Sequence, residues 1–264
     1  MSNNIPTRAY LLDGTSYSLP YDLALSKGII ENANLVVKFG YNKDIDSAAE
    51  ETVWAVGGEW TPTTGAEIVD ITSSSLNDVN TTGTGAWLVL ITGIADDYSE
   101  LSEYVNLNGT NTVQTVNEYR YINRVAVAFS GSGQKNDGNI TFNQTTSGTS
   151  LAYIPAGESI TQQAVYTVPL GYQAYLAGIF LSVGRSSGGS SPDVEFELYS
   201  FNAKSNTRYG IASFDLDEAS QSDVNIPQPF ANPTDEQSTL FLNARTNTNN
   251  TKVFGRFYMR LVKL

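Results

Sequence analysis

The chain has 264 residues, 41% of them hydrophobic and only 16% charged, with a formal net charge of −12. That length and apolar share supply a real core, while the acidic balance excludes a phosphate-backbone partner, which needs clustered Lys and Arg. Cys and His are both absent, which excludes disulfides, zinc–thiolate sites and every Ser-His-Asp or Cys-His catalytic arrangement, and leaves carboxylate chemistry as the main enzymatic route.

Residues 1–32 differ from the rest of the chain. Pro6 and Pro20 prevent one continuous element, and 21–30 is compatible with a short helix. The apolar side chains here, Tyr10, Leu11 and Leu12 among them, lack strand alternation, so the segment is expected to be an arm that orders against a neighbouring subunit. Packing back on its own sandwich, as an edge strand and short helix, is the equal alternative. The first twenty residues lack the basic, apolar and small-residue pattern of a signal peptide. No apolar run approaches the roughly 18 residues of a membrane span. A soluble product made in a cytoplasm, or exported by another route such as lysis, and no membrane partner are therefore expected.

Strand signals then recur at 35–39, 52–56, 67–71, 86–91, 103–107, 119–129, 139–142, 160–168, 173–183, 194–201, 208–214, 239–244 and 253–262. Polar turns rich in Ser, Thr, Asn and Gly separate them, an all-β pattern without heptads, repeats or a βαβ rhythm. The run Ala86-Trp87-Leu88-Val89-Leu90-Ile91 is apolar on both faces of a period-two pattern and demands cover on both. Trp87, Leu88, Val89, Leu90 and Ile91 are thus expected in a central strand or at a subunit interface. In 194–199, Val194, Phe196 and Leu198 share one face and Glu195 and Glu197 the other. Near the C-terminus, Phe257, Met259 and Leu261 share a face, which predicts a chain end inside a sheet. Residues 184–192 and 225–236 have loop composition. The whole predicts an all-β fold, an antiparallel β-sandwich of jelly-roll type with an N-terminal arm. Residues 33–264 form one domain in this reading, with a division near Asn117 as the alternative.

The densest acidic cluster, Asp96, Asp97, Glu100 and Glu103, lacks calcium-loop spacing and reads as a solvated loop. Asp215, Asp217 and Glu218 read likewise, and Asp44, Asp46, Glu50 and Glu51 read as a charged connection. Glu195 and Glu197, about 6–7 Å apart by strand rise, have formal spacing for a glycoside hydrolase, a minor alternative to an exposed strand face. The glycines at 83, 85, 131 and 133 lack the Lys and following helix of a phosphate loop and read as turns. No catalytic residue, metal ligand or cofactor is expected.

One block carries a resemblance. It runs through Glu51-Thr52-Val53-Trp54, Gly57-Gly58, residues 67–75 with Asp78, Gly83-Thr84-Gly85-Ala86, Ile91-Thr92-Gly93-Ile94, Asp97-Tyr98, Glu103, Leu107-Asn108-Gly109-Thr110 and Gly138-Asn139-Ile140-Thr141. This succession resembles structural proteins of tailed phages, particularly phages of aquatic bacteria, which decorate or cement the capsid exterior or form fibres. A looser similarity continues through 166–172. The resemblance implies β-sandwich subunits that often trimerise, with the major capsid protein as partner, and it transfers no catalytic residue. A virion structural protein of the decoration or cement type is the resulting expectation. A head or tail fibre module that binds a host glycan is the alternative.

Overall fold

The computed structural model describes residues 7–10, 16–19, 21–47, 49–185, 191–227 and 233–264. The chain is all-β and antiparallel. A ribbon of β1 (Thr7–Tyr10) and β2 (Ser16–Leu19) leads to the helix α1 (Tyr21–Ser26). There follow β3 (Ala33–Ile45), β4 (Glu51–Thr52), β5 (Val69–Ser73), β6 (Ala86–Ile94), β7 (Glu100–Asn106), β8 (Val113–Gln114) and β9 (Tyr121–Ser130). Then come β10 (Ile140–Gln144), β11 (Ser150–Ile154), β12 (Val165–Thr167), β13 (Tyr172–Arg185), β14 (Asp193–Asn202), β15 (Thr207–Asp217), β16 (Asp223–Pro227), β17 (Ser238–Thr246) and β18 (Thr251–Lys263).

Four main sheets close on two cores. In the first sandwich the order β16-β13-β18-β3 faces β12-β17-β14-β15, with β4 continuing the line of β12 along β17. Their inner faces supply Ile179, Leu181, Phe257 and Met259 from one sheet and Val194, Phe196, Leu198 and Leu242 from the other, all fully buried. The alternation of 194–199 and 256–261 explains this: every second residue is apolar, so one face of each strand leaves water. β18 runs between β13 and β3, so the chain ends in a sheet interior as expected. Truncating Phe257 to Ala there costs ~3–5 kcal/mol.

The second sandwich pairs the orders β11-β10-β5-β8 and β7-β6-β9. Val89 and Ile91 of β6 pack inward with Ile71, Ile140, Phe142 and Val125, all with no exposure. Asn117 lies between Val113 and Tyr119, which both belong to this core, so the passage between the two cores is elsewhere in the chain.

That passage is a two-stranded stem. The Val53 amide donates to the Leu242 carbonyl (2.8 Å), and the Leu242 amide donates to the Ala164 carbonyl (3.0 Å). Residues 53 and 164 thus meet at the same residue of β17, between the partners of Thr52 and Val165, although 110 residues separate them in the chain. Trp54 pairs with Gln163, and the Ala55 amide donates to the Gln162 carbonyl at 2.9 Å. The second sandwich is therefore an insertion into one strand of the first. Gly40 in β3 lies against this stem, where any Cβ would collide with the Val53 carbonyl and the Ala164 amide. The Ala164 amide donates to the Val53 carbonyl at 3.0 Å, the bond that closes a β-turn, so two residues span the gap. Replacing residues 54–163 by Asn-Gly is expected to leave a β-sheet circular dichroism spectrum and a cooperative melt at reduced temperature. A product without a cooperative transition contradicts the insertion.

The N-terminal expectations fare unevenly. The helix forms at Tyr21–Ser26, and its Ala24 and Leu25 are buried, with the helix against β3. Tyr10 ends β1, while Leu11 and Leu12 lie outside the described residues. Three strands went unanticipated outside the arm: β8, β11 and β16. The last runs into a segment of loop composition and pairs with β13 alone, an edge position that tolerates Pro227.

Candidate functional site

The richest side-chain chemistry gathers where the two sandwiches meet. Thr52 in β4 and Asn243 in β17 are register partners, and the Thr52 hydroxyl donates to Asn243 Oδ1 at 2.8 Å. The Trp60 amide donates back to the Thr52 hydroxyl at 2.7 Å, which fixes the segment after β4 against the sheet. Trp60 then lies among Phe241, Tyr121 and Phe201, with ring centroids 4.8, 5.6 and 6.0 Å away. Tyr121 comes from the inserted sandwich and the two Phe from the first, so one indole bridges both. Trp54 anchors the other wall, its Nε1 donating to the Gly58 carbonyl at 2.9 Å.

These walls enclose a cleft of about 200 Å³. Buried Trp54, Trp60, Tyr121, Ile122 and Gln163 form its floor, and exposed Gly57, Glu59 and Thr61 with half-buried Thr149 and Ser150 form its rim. Gln163 Nε2 donates to the Ile122 carbonyl at 2.6 Å, while its Oε1, fully buried, has no partner among the described residues. Burial pushes the Tyr121 phenol up to about 12, so it remains neutral near neutral pH and offers hydrogen bonding, not base chemistry. A second hollow of about 380 Å³, bordered by Tyr41, Tyr153 and Glu51, shares the Val56–Gly57 wall.

Beside the cleft, Arg208 of β15 stacks 3.7 Å above the Tyr199 ring centroid. It pairs with Glu50 at 2.9 Å and also with Glu59. Asn243 Nδ2 donates to Glu50 at 2.6 Å, and the Glu51 carboxylate accepts from Asn42 at 3.0 Å and from the Gly58 amide at 3.1 Å. The acidic run around β4 is thus not merely a charged connection: Glu50 joins β15 to β17 through Arg208 and Asn243, and Glu51 joins β3 to the segment after β4. The partners of Glu50 lie more than 150 residues away, so composition alone carried no signal for them. The Trp54–Gly–Gly–Trp60 spacing was the one local hint, two large aromatics around a turn.

The residues singled out from sequence scatter. Glu195 pairs with Arg245 at 3.2 Å and Glu197 accepts from the Tyr199 hydroxyl. The hollow that both carboxylates border, with Glu50 and Asn243, has no room for a water molecule. Asp96 holds Arg120 at 2.6 Å and the Ala66 amide, Asp97 closes its own turn through Ser99, and Glu103 accepts from the Val116 and Asn117 amides. Among the described residues no three carboxylates converge as cation ligands do. In β6, Val89 and Ile91 are in the core, while Trp87, Leu88 and Leu90 are half-buried. Leu90 lies opposite Tyr104 and Ala126, and Leu88 opposite Phe129. Tyr104 and Phe129 are 63% and 64% exposed, so the outward face of this sheet carries an exposed apolar patch beside polar Ser102 and Asn106.

No protein-family model and no curated protein matches the chain. Among solved structures, one of infectious bursal disease virus, Gt strain, is 12% identical over 93% of this chain and 78% of its own, with a TM-score of 0.24. The Gx strain gives 10% identity over 88% and 73%, with a TM-score of 0.21. A T13 IBDV viral particle gives 11% over 88% and 70%, with a TM-score of 0.18. Likenesses this low carry no argument about fold or role.

Proposed function

We propose that this chain is a structural protein of a tailed-phage virion, a decoration or cement subunit on the capsid exterior that works by contact and not by turnover. The observation that carries the reading is the strand order of the first sandwich. With β4 and β12 counted as halves of its second strand, its sheets run one-eight-three-six and two-seven-four-five along the chain. That is the order of a jelly roll, an architecture of viral capsid proteins that lectins and cupins share. Four sheets also suit a propeller-like ring, but blades are wound from consecutive strands, and the interleaved orders here favour the sandwich. The insertion gives such a subunit two modules, one for the lattice and one for further contact.

The major capsid protein is the proposed partner. Many weak contacts repeated over a lattice hold such a subunit through multivalency, and a net charge of −12 favours a protein surface over nucleic acid. Incubating the purified protein with mature capsids and sedimenting the particles tests this. Saturable co-sedimentation is expected, and protein left wholly in the supernatant contradicts it.

For self-association, a homotrimer, the outward face of β7-β6-β9 is the proposed contact, because Leu88, Leu90, Tyr104 and Phe129 form an apolar patch on it. Leu90→Asp and Phe129→Asp are expected to keep the wild-type melt while light scattering falls from trimer to monomer. Val89→Asp and Ile91→Asp instead place a charge in a sealed core and are expected to abolish folding. A wild-type chain that scatters as a monomer removes the trimer.

A further inference from the structure

We propose that the cleft between the sandwiches binds one neutral sugar residue. The inference stands on the cleft alone and is independent of the virion reading. Three observations converge on this ligand chemistry.

The first is an unsatisfied acceptor. Gln163 is 2% exposed, its Nε2 is committed to the Ile122 carbonyl, and its Oε1 has no partner among the described residues. Leaving a buried amide oxygen empty is costly, and a hydroxyl donor relieves it. The second is the carboxylate at the rim. Among the described residues both hydrogen bonds to Glu59, from Arg208 and Asn243, fall on Oε1, so Oε2 has no partner there and can accept from a ligand. Acceptors at floor and rim select a molecule with several hydroxyl donors and disfavour an anion. The third is the lining: the small exposed parts of Trp54 and Trp60, 5% and 7% of each residue, give the floor an apolar contact for C–H groups of a single pyranose. A cleft of about 200 Å³ is smaller than drug-sized sites, so the occupant is a single ring, the terminal residue of a glycan, with the remaining chain leaving past Thr61 and Ser150.

The test is intrinsic tryptophan fluorescence of the full chain, titrated with methyl α-glucoside, methyl α-mannoside, methyl β-galactoside and N-acetylglucosamine, with sialic acid as the anionic control. At least one neutral sugar is expected to give a saturable change with a dissociation constant of about 1–10 mM, and sialic acid none. Gln163→Leu and Glu59→Gln are each expected to weaken binding roughly tenfold. Should Gln163→Leu fail to fold, Thr61→Trp, at an exposed rim position, blocks the mouth and is expected to abolish the signal with an unchanged melt. The proposal is overturned if no neutral sugar gives a saturable change, if sialic acid binds as well as the neutral sugars, or if folded Glu59→Gln and Thr61→Trp bind as wild type does.

Discussion

Asp78→Ala is expected to unfold the inserted sandwich. The Asp78 side chain is fully buried where the turns before β6 and β10 cross. Its Oδ1 accepts from the Ala86 amide at 2.7 Å and the Asp137 amide at 2.8 Å. Its Oδ2 accepts from the Gly138 amide at 2.8 Å and the Ser73 hydroxyl at 2.6 Å. Removing the carboxylate strands three backbone donors, two of them on buried residues. At ~1–3 kcal/mol each the loss is of the order of the stability of a whole domain. Asn is expected to be nearly as damaging. Each carboxylate oxygen faces at least one backbone N–H, so whichever way the amide turns, its NH₂ meets a donor. Gly85 beside it cannot carry a side chain, because a Cβ there would collide with Asp78 Oδ1. Thermal melts that place Asp78→Asn within 1 kcal/mol of wild type, on the scale of ~1.5–3 per charged hydrogen bond, contradict this reading of the turn.

The second large effect is a dependence on pH that acts through Lys38. This residue of β3 is 7% exposed, and its amine donates to the Asn123 carbonyl of β9, tying the first sandwich to the inserted one. Burial, with the Arg124 charge adding to it, lowers its pKa from 10.5 to about 7. A lowered lysine value means that the unfolded chain binds the proton more tightly than the folded one. Below about pH 7 both states hold the proton and the folded state bears the full cost of a buried charge. Between 7 and 10.5 only the unfolded state holds it, so stability rises with pH across that window. From pH 6 to pH 9 the expected gain is roughly 2–3 kcal/mol. Lys38→Met keeps the stem volume and removes the charge, and is expected to melt higher at pH 6 and to lose this slope. Urea titrations at the two pH values check it, and equal slopes in both proteins remove Lys38 as the cause.

How much of the fold is legible in the sequence depends on which interactions are local. Alternation in 194–199 and 256–261 reports a face-to-face burial decided within each strand, and these stretches of β14 and β18 obey it residue by residue. The run 86–91 was apolar on both sides, and the structure divides it: Val89 and Ile91 fill the core while Leu88 and Leu90 lie on the outward face. β11 escaped because Leu151 and Ala152 are both buried, which breaks the period of two. The apolar stretch 160–168 read as one strand, yet only Val165–Thr167 joins β17, and Gln162 and Gln163 belong to the stem. Nothing local distinguishes a strand from a stem, since both are extended. The insertion itself depends on Val53 and Ala164 finding the same Leu242, and the cleft depends on the insertion. Hence Glu59 and Gln163 carried no sequence signal, whereas the aromatics around Gly57 and Gly58 did.

Electron cryo-microscopy of purified virions, with mass spectrometry of the same particles, tests the virion reading most directly. This chain is expected among the particle proteins in many copies, with density outside the shell that fits a jelly roll carrying a second sandwich on a two-stranded stem. Particles that lack the chain, or that hold it only inside the shell, contradict a decoration or cement role.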